Sequence, residues 1–122
     1  MWDRRAKVTS VHDGDTVIAV LDQGFRNQQE ITVRLWNTYA PELKEPGGLE
    51  TRDFIVQWVK KYGYATEWPF IVTTVRLKND TKEVTTLERY VCVVTDVTGS
   101  HNLNADVQAF ILDRGYGGGI GS

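Results

Sequence analysis

Cysteine is almost missing from this chain. Cys92 is the only one, so no intramolecular disulfide can form and no cysteine-based zinc spacing exists. Its place in the apolar run Tyr90 to Val94 marks a buried structural thiol rather than a nucleophile. Proline is also scarce, at three residues, and two of them, Pro41 and Pro46, fall in one short stretch that therefore reads as a loop. No apolar run approaches the roughly twenty residues that cross a bilayer as a helix. The N-terminal Met1-Trp-Asp-Arg-Arg-Ala-Lys lacks the apolar core of a secretion signal, so a cytoplasmic location is expected over a secreted one. Nor is there an excess of positive charge: 14 Lys and Arg stand against 16 Asp and Glu, a net charge of −2. That balance is a poor basis for holding nucleic acid by general electrostatic attraction, so any phosphate binding has to be local.

What is present is ample core material. Four Trp, five Tyr and four Phe among 41% hydrophobic and 25% charged residues describe an ordinary globular chain. At 122 residues it is expected to be one domain, 1–122, with a single core and a monomeric state; the glycine-rich 117–122 is expected to fray.

Periodicity divides the chain into strands and two helices. Val8 to Leu21 alternates as a strand, with Asp13, Asp15 and Val17 on one face and Gly14 marking a bulge or turn between the acids. Leu21 to Gln29 reads as a hairpin loop, and Glu30 to Trp36 as the returning strand, with Arg34 near its end and Trp36 in the core. Leu49 to Tyr62 carries Phe54, Ile55, Trp58, Val59 and Tyr62 at helical spacing. Ile71 to Leu77 and Thr85 to Thr95 are β-rich around a turn at Lys78 to Thr81, and Asn102 to Arg114 forms a second helix closed by Gly115. The element order permits several α+β folds.

The chemistry is concentrated in two segments, Asp13-Gly14-Asp15-Thr16 and Arg34-Leu-Trp-Asn-Thr-Tyr-Ala-Pro41-Glu42. Carboxylates suit a hard divalent cation, a guanidinium fork suits a phosphate, and a further acid can take a proton from water. Taken singly, each residue also has an ordinary reading: Asp15 as a solvated turn acid, Arg34 as a surface-strand cation, Glu42 as an exposed loop acid.

These segments, with Glu88-Arg89-Tyr90 and Leu103-Asn104, resemble the staphylococcal nuclease (thermonuclease) family in order and spacing, from about Lys7 to Tyr116. The resemblance implies a mainly β, α+β protein: a five-stranded oligonucleotide-binding (OB) barrel with two or three helices. It also implies a hydrolase, a calcium-dependent nuclease cleaving phosphodiester bonds of DNA or RNA. Asp15, supported by Asp13, would be the metal ligand; Glu42 the general base; Arg34 and Arg89 the phosphate-binding, charge-stabilising residues. Tyr39 stands where the family usually has a second metal-binding aspartate, so weak calcium binding is expected, and Tyr116 is the only counterpart of the family's C-terminal tyrosines. A non-catalytic OB module that binds nucleic acid or protein remains the alternative, as does a purely structural domain.

Overall fold

The computed structural model describes residues 3–64, 66–75 and 89–116, with Arg89 described in its backbone only. The expected turn at Lys78 to Thr81, the strand residues Arg76, Leu77 and Thr85 to Glu88, and the tail 117–122 lie outside the described residues.

Five strands close into a barrel: β1 (Asp3–Asp13), β2 (Thr16–Asp22), β3 (Gln28–Leu35), β4 (Phe70–Thr74) and β5 (Arg89–Asp96). Their order around the barrel is β1-β2-β3-β5-β4, and only β3 and β5 run parallel. Two helices, α1 (Gly48–Tyr62) and α2 (Leu103–Arg114), complete the OB-like α+β architecture expected of the sequence.

The strand expected over Val8 to Leu21 is in fact two strands, because the chain turns at Gly14 and Asp15 and Asp13 pairs with Thr16. Irregularities between Val8 and Ser10 and between Val11 and Asp13 shift the register, so an alternation drawn straight through the segment misassigns faces. In β2 and β3 the alternation is clean: Val17, Ala19 and Leu21 point into the barrel interior beside Ile31, Val33 and Leu35 of the neighbouring strand. Trp36 is therefore not in the core as the strand reading placed it. It follows the inward Leu35, points outward, and is 40% exposed.

The helices cover the barrel with the side chains their periodicity selects. Ile55 and Trp58 of α1, and Leu103, Val107 and Ile111 of α2, are buried with the barrel residues Phe70, Val72, Cys92 and Val94. Each fully buried aliphatic side chain contributes on the order of 1.5–3 kcal/mol. Phe54 stacks on Phe110 at 4.5 Å between ring centres, and Trp58 stacks on Phe70 at 5.5 Å. The Trp58 indole N–H is not stranded in this core, since it donates to Asp106 Oδ2 at 2.8 Å. Burial pushes the Cys92 thiol up to about 12, which keeps it neutral, as a structural thiol should be.

The ends of α2 are closed as the residue types suggest. Asn102 accepts the Ala105 N–H at the start of α2, and Gly115, at φ 72°, donates to the carbonyls of Ile111 and Leu112 at its end. No described helix is long and apolar enough to cross a membrane.

Candidate functional site

The hairpin turn between β1 and β2 brings the two acids together. Asp15 donates its backbone N–H to Asp13 Oδ1 at 3.1 Å, and the Thr16 hydroxyl donates to Asp15 Oδ1 at 3.1 Å. Antiparallel pairing then sets Arg34 opposite Thr16, which carries the guanidinium to the same end of the barrel. Arg34 Nη1 lies 3.7 Å from Asp15 Oδ2, close enough for strong attraction but beyond a hydrogen bond.

That nitrogen is committed elsewhere. It donates to the carbonyls of Leu35 at 2.8 Å and Thr38 at 3.1 Å, so the guanidinium ties down the turn that follows β3. Its other edge, Nε and Nη2, donates to nothing among the described residues. One edge of the fork is a structural tether, and the other is available to an anion.

Gly14 joins this turn to the loop of Glu42. A Cβ added at Gly14 would stand 2.5 Å from the Ala40 Cβ and 2.7 Å from Thr51 Cγ2, closer than such atoms approach. The acids' turn is thus pressed against the residue two before Glu42 and against the first turn of α1. Pro41 is buried, and Glu42 is exposed, its N–H bonded to Glu45 Oε1 at 2.8 Å. At Gly48 an added Cβ would meet the Glu42 carbonyl, so the helix start packs directly on the Glu42 backbone. The backbone beneath this acid is fixed while its side chain reaches solvent.

Burial pushes the Asp15 carboxyl up to about 6; the neighbouring Asp13 adds to the rise, and Arg34 offsets part of it. A carboxyl whose ionisation is opposed by burial and a like-charged neighbour is one that a cation would help to ionise. Asp13, Asp15 and the Thr16 hydroxyl are oxygen donors of the type calcium prefers, but fewer than the about six to eight it takes. Among the described residues no group of three or more His, Cys, Asp and Glu could hold a metal. Two carboxylates and one hydroxyl are a short ligand set, which a divalent ion would have to complete with water.

Of the residues expected in the site, Asp13, Asp15 and Arg34 are brought together, and Glu42 lies on the loop packed against them. Arg89 opens β5, its backbone beside Thr32, two residues from the Val91 that pairs with Arg34; its side chain lies outside the described residues. Tyr39 is exposed, its N–H bonded to Gln108 Oε1 at 3.0 Å. Tyr116 is turned to a structural task, its ring lying over Gly47 at the entry to α1.

Two supports were not visible as such in the sequence. Thr38 is fully buried beneath the Arg34 tether. Asn104 is also buried: its Nδ2 donates to the carbonyls of Trp36 and Cys92, and its Oδ1 accepts the Val94 N–H, so α2 holds the turn after Arg34 against β5. An asparagine among the apolar residues that open a helix is the signal that could have found it, because a buried amide needs partners. No protein-family model matches the chain, and no curated protein matches it.

Proposed function

We propose that this chain is a nuclease, hydrolysing phosphodiester bonds of DNA or RNA with calcium as its cofactor. The observation that carries the reading is the half-tethered Arg34 guanidinium, 3.7 Å from Asp15 in a turn packed against the Glu42 loop. The open edge of Arg34 binds phosphate oxygens and offsets the negative charge that develops on them during in-line attack. Glu42 accepts the proton of the attacking water, a task that suits an exposed carboxylate on a fixed backbone. Asp15 and Asp13 would hold the ion, whose charge offsets attack on an anionic phosphate. Arg89 enters as a second phosphate-binding cation on the strength of the resemblance to thermonucleases. With a net charge of −2, attraction to the substrate has to be local.

The test is cleavage of single-stranded DNA and RNA with calcium and with chelator. Slow cleavage in calcium that stops in chelator is expected, and undiminished cleavage in chelator would remove the metal from the reading. A second reading, an OB module that binds without cleaving, is favoured by one observation: no third acid joins Asp13 and Asp15 among the described residues. It predicts that calcium leaves the melting temperature unchanged and that neither polymer is cut.

A further inference from the structure

At the opposite end of β2 from Asp15, the loop to β3 carries Phe25 and Arg26 at its tip. Asn27 donates to the Gly24 carbonyl at 2.8 Å and Gln23 to the Asn27 carbonyl at 2.9 Å, which closes a tight turn with Phe25 and Arg26 at its centre. Both adopt left-handed backbone conformations, φ 50° and 67°. Such a turn is ordinarily filled by Asn-Gly, because a side chain is strained at both central positions. Here it carries a phenyl ring that is 99% exposed and a guanidinium, and nothing in the packing of the barrel calls for either.

At the foot of this hairpin is a small cleft of about 110 Å³, lined by Arg4, Leu21, Gln23, Gln29 and Tyr90. Its polar wall is ordered. Gln23 Nε2 donates to Gln29 Oε1 at 2.7 Å, and Gln23 Oε1 accepts from Arg4 Nε at 3.2 Å. The volume is far below the roughly 300 Å³ at which sites for larger ligands begin, so it has room for one heterocycle and not for a cofactor.

We propose that the Phe25–Arg26 tip and the cleft at its foot form a second binding site, taking an unpaired stretch of single-stranded nucleic acid. This rests on the nucleic-acid reading above and extends it to a surface remote from the phosphate chemistry. One base stacks on the Phe25 ring, Arg26 meets a backbone phosphate, and the edge of a neighbouring base enters the cleft beside the Gln23 amide. The bases have to be unpaired, since a protruding ring cannot reach the face of a base inside a duplex.

A protein partner fits less well. A protein interface needs several contiguous apolar anchors, whereas Phe25 is the one large exposed apolar residue of this hairpin and its neighbours are amides and arginines. Asp22 is the nearest acid in sequence, and its Oδ1 is occupied by the Gly24 N–H. β2 separates the two sites by about 20 Å, at its seven residues of about 3.3 Å each, within reach of one strand laid along an OB barrel.

The experiment is fluorescence anisotropy of labelled oligothymidylate and oligouridylate, each of about twelve nucleotides, in chelator so that no cleavage intervenes. Phe25→Ala is expected to weaken binding about ten-fold, and Phe25→Trp to retain it. Melting curves establish that each variant is folded. Loss with one polymer alone identifies that polymer as the ligand. Unchanged affinity in folded Phe25→Ala, or a parent that binds duplex as tightly as single strands, overturns the proposal. If the parent cleaves in calcium but Phe25→Ala binds as the parent does, the nuclease reading survives and this site does not. If Phe25→Ala weakens binding and the parent never cleaves, the site stands and the nuclease reading falls.

Discussion

The two turns at the ends of β2 follow opposite rules. The Gly14 turn is crowded: Ala40 and Thr51 leave no room for a side chain there, and its acids are half-buried beside an arginine. The Phe25–Arg26 turn stands in open solvent, where nothing crowds it and the backbone itself would favour glycine, yet it carries two large side chains. In the first turn the residue types are dictated by neighbours within the fold. In the second the packing of the fold supplies no reason for them.

The sharpest way to separate the two ends is through turnover. Glu42→Gln, at the Gly14 end, should lower kcat by about a hundred-fold or more while leaving substrate affinity near that of the parent, because it removes a proton acceptor and no binding group. Phe25→Ala should do the reverse, raising KM on long single strands with kcat retained. Steady-state kinetics on one oligonucleotide reads both, and a kcat unchanged in Glu42→Gln removes Glu42 from the mechanism.

Crowding predicts the next effect. Gly14→Ala should destabilise the protein by about 2–3 kcal/mol, since rigid neighbours have to move to admit the methyl group. Ala40→Gly in the same chain should restore part of that loss by removing one of the two clashes. Denaturant titration measures both, and a Gly14→Ala protein as stable as the parent would show that the turn is not pressed against the Glu42 loop.

Smaller and dependent on pH is the effect of Asp15→Asn. The Asp15 carboxyl rises from its ordinary 3.8 to about 6 on folding, so the native state binds more protons than the unfolded state between those values. Its contribution to stability is therefore full below about pH 4 and is lost as pH rises through about 6. Asparagine cannot ionise, so thermal melts of the variant should lack that decline and lie above the parent's at neutral pH, while calcium binding and cleavage are lost.

Smallest is Arg26→Gly, which should raise stability by about 1 kcal/mol by relieving a left-handed arginine. A gain in melting temperature accompanied by weaker binding of single strands would be the mirror image of Gly14→Ala. Stability unchanged or lowered would mean that the arginine contributes to the fold after all.

Much of the architecture could be read from the chain, because period-two alternation in 16–22 and 28–35 and helical spacing in 48–62 each report a single buried face. Gly115 was legible for a similar reason, as a left-handed helix end favours glycine. At Gly14 the residue type leaves bulge and turn both open, because two register irregularities in β1 spoil the alternation that would decide for the hairpin. Trp36 was misplaced because aromatic character outweighed its position directly after the inward Leu35. Residue type singled out Asp13, Asp15 and Arg34, which the fold brings together, but the tether from Arg34 to the Thr38 carbonyl and the contact of Gly14 with Ala40 involve backbone and methyl groups, which leave no trace in the sequence pattern.

Strand β3 finds its last partner late. β1, β2 and β3 meet through short turns and can associate as soon as they are made, whereas Thr32 has to wait for Arg89, which follows α1 and β4 in the chain. Closing such a loop is the slow kind of event in folding, since its entropy is lost before any contact compensates. Asn104 and Cys92, which hold the Trp36 backbone, arrive later still. The turn after Arg34 thus gains its last backbone ties, to Cys92 and Asn104, only once β5 and α2 are in place. A nascent chain on the ribosome, or one clipped ahead of α2, would display the acids of the Gly14 turn beside an arginine turn that lacks its Asn104 support.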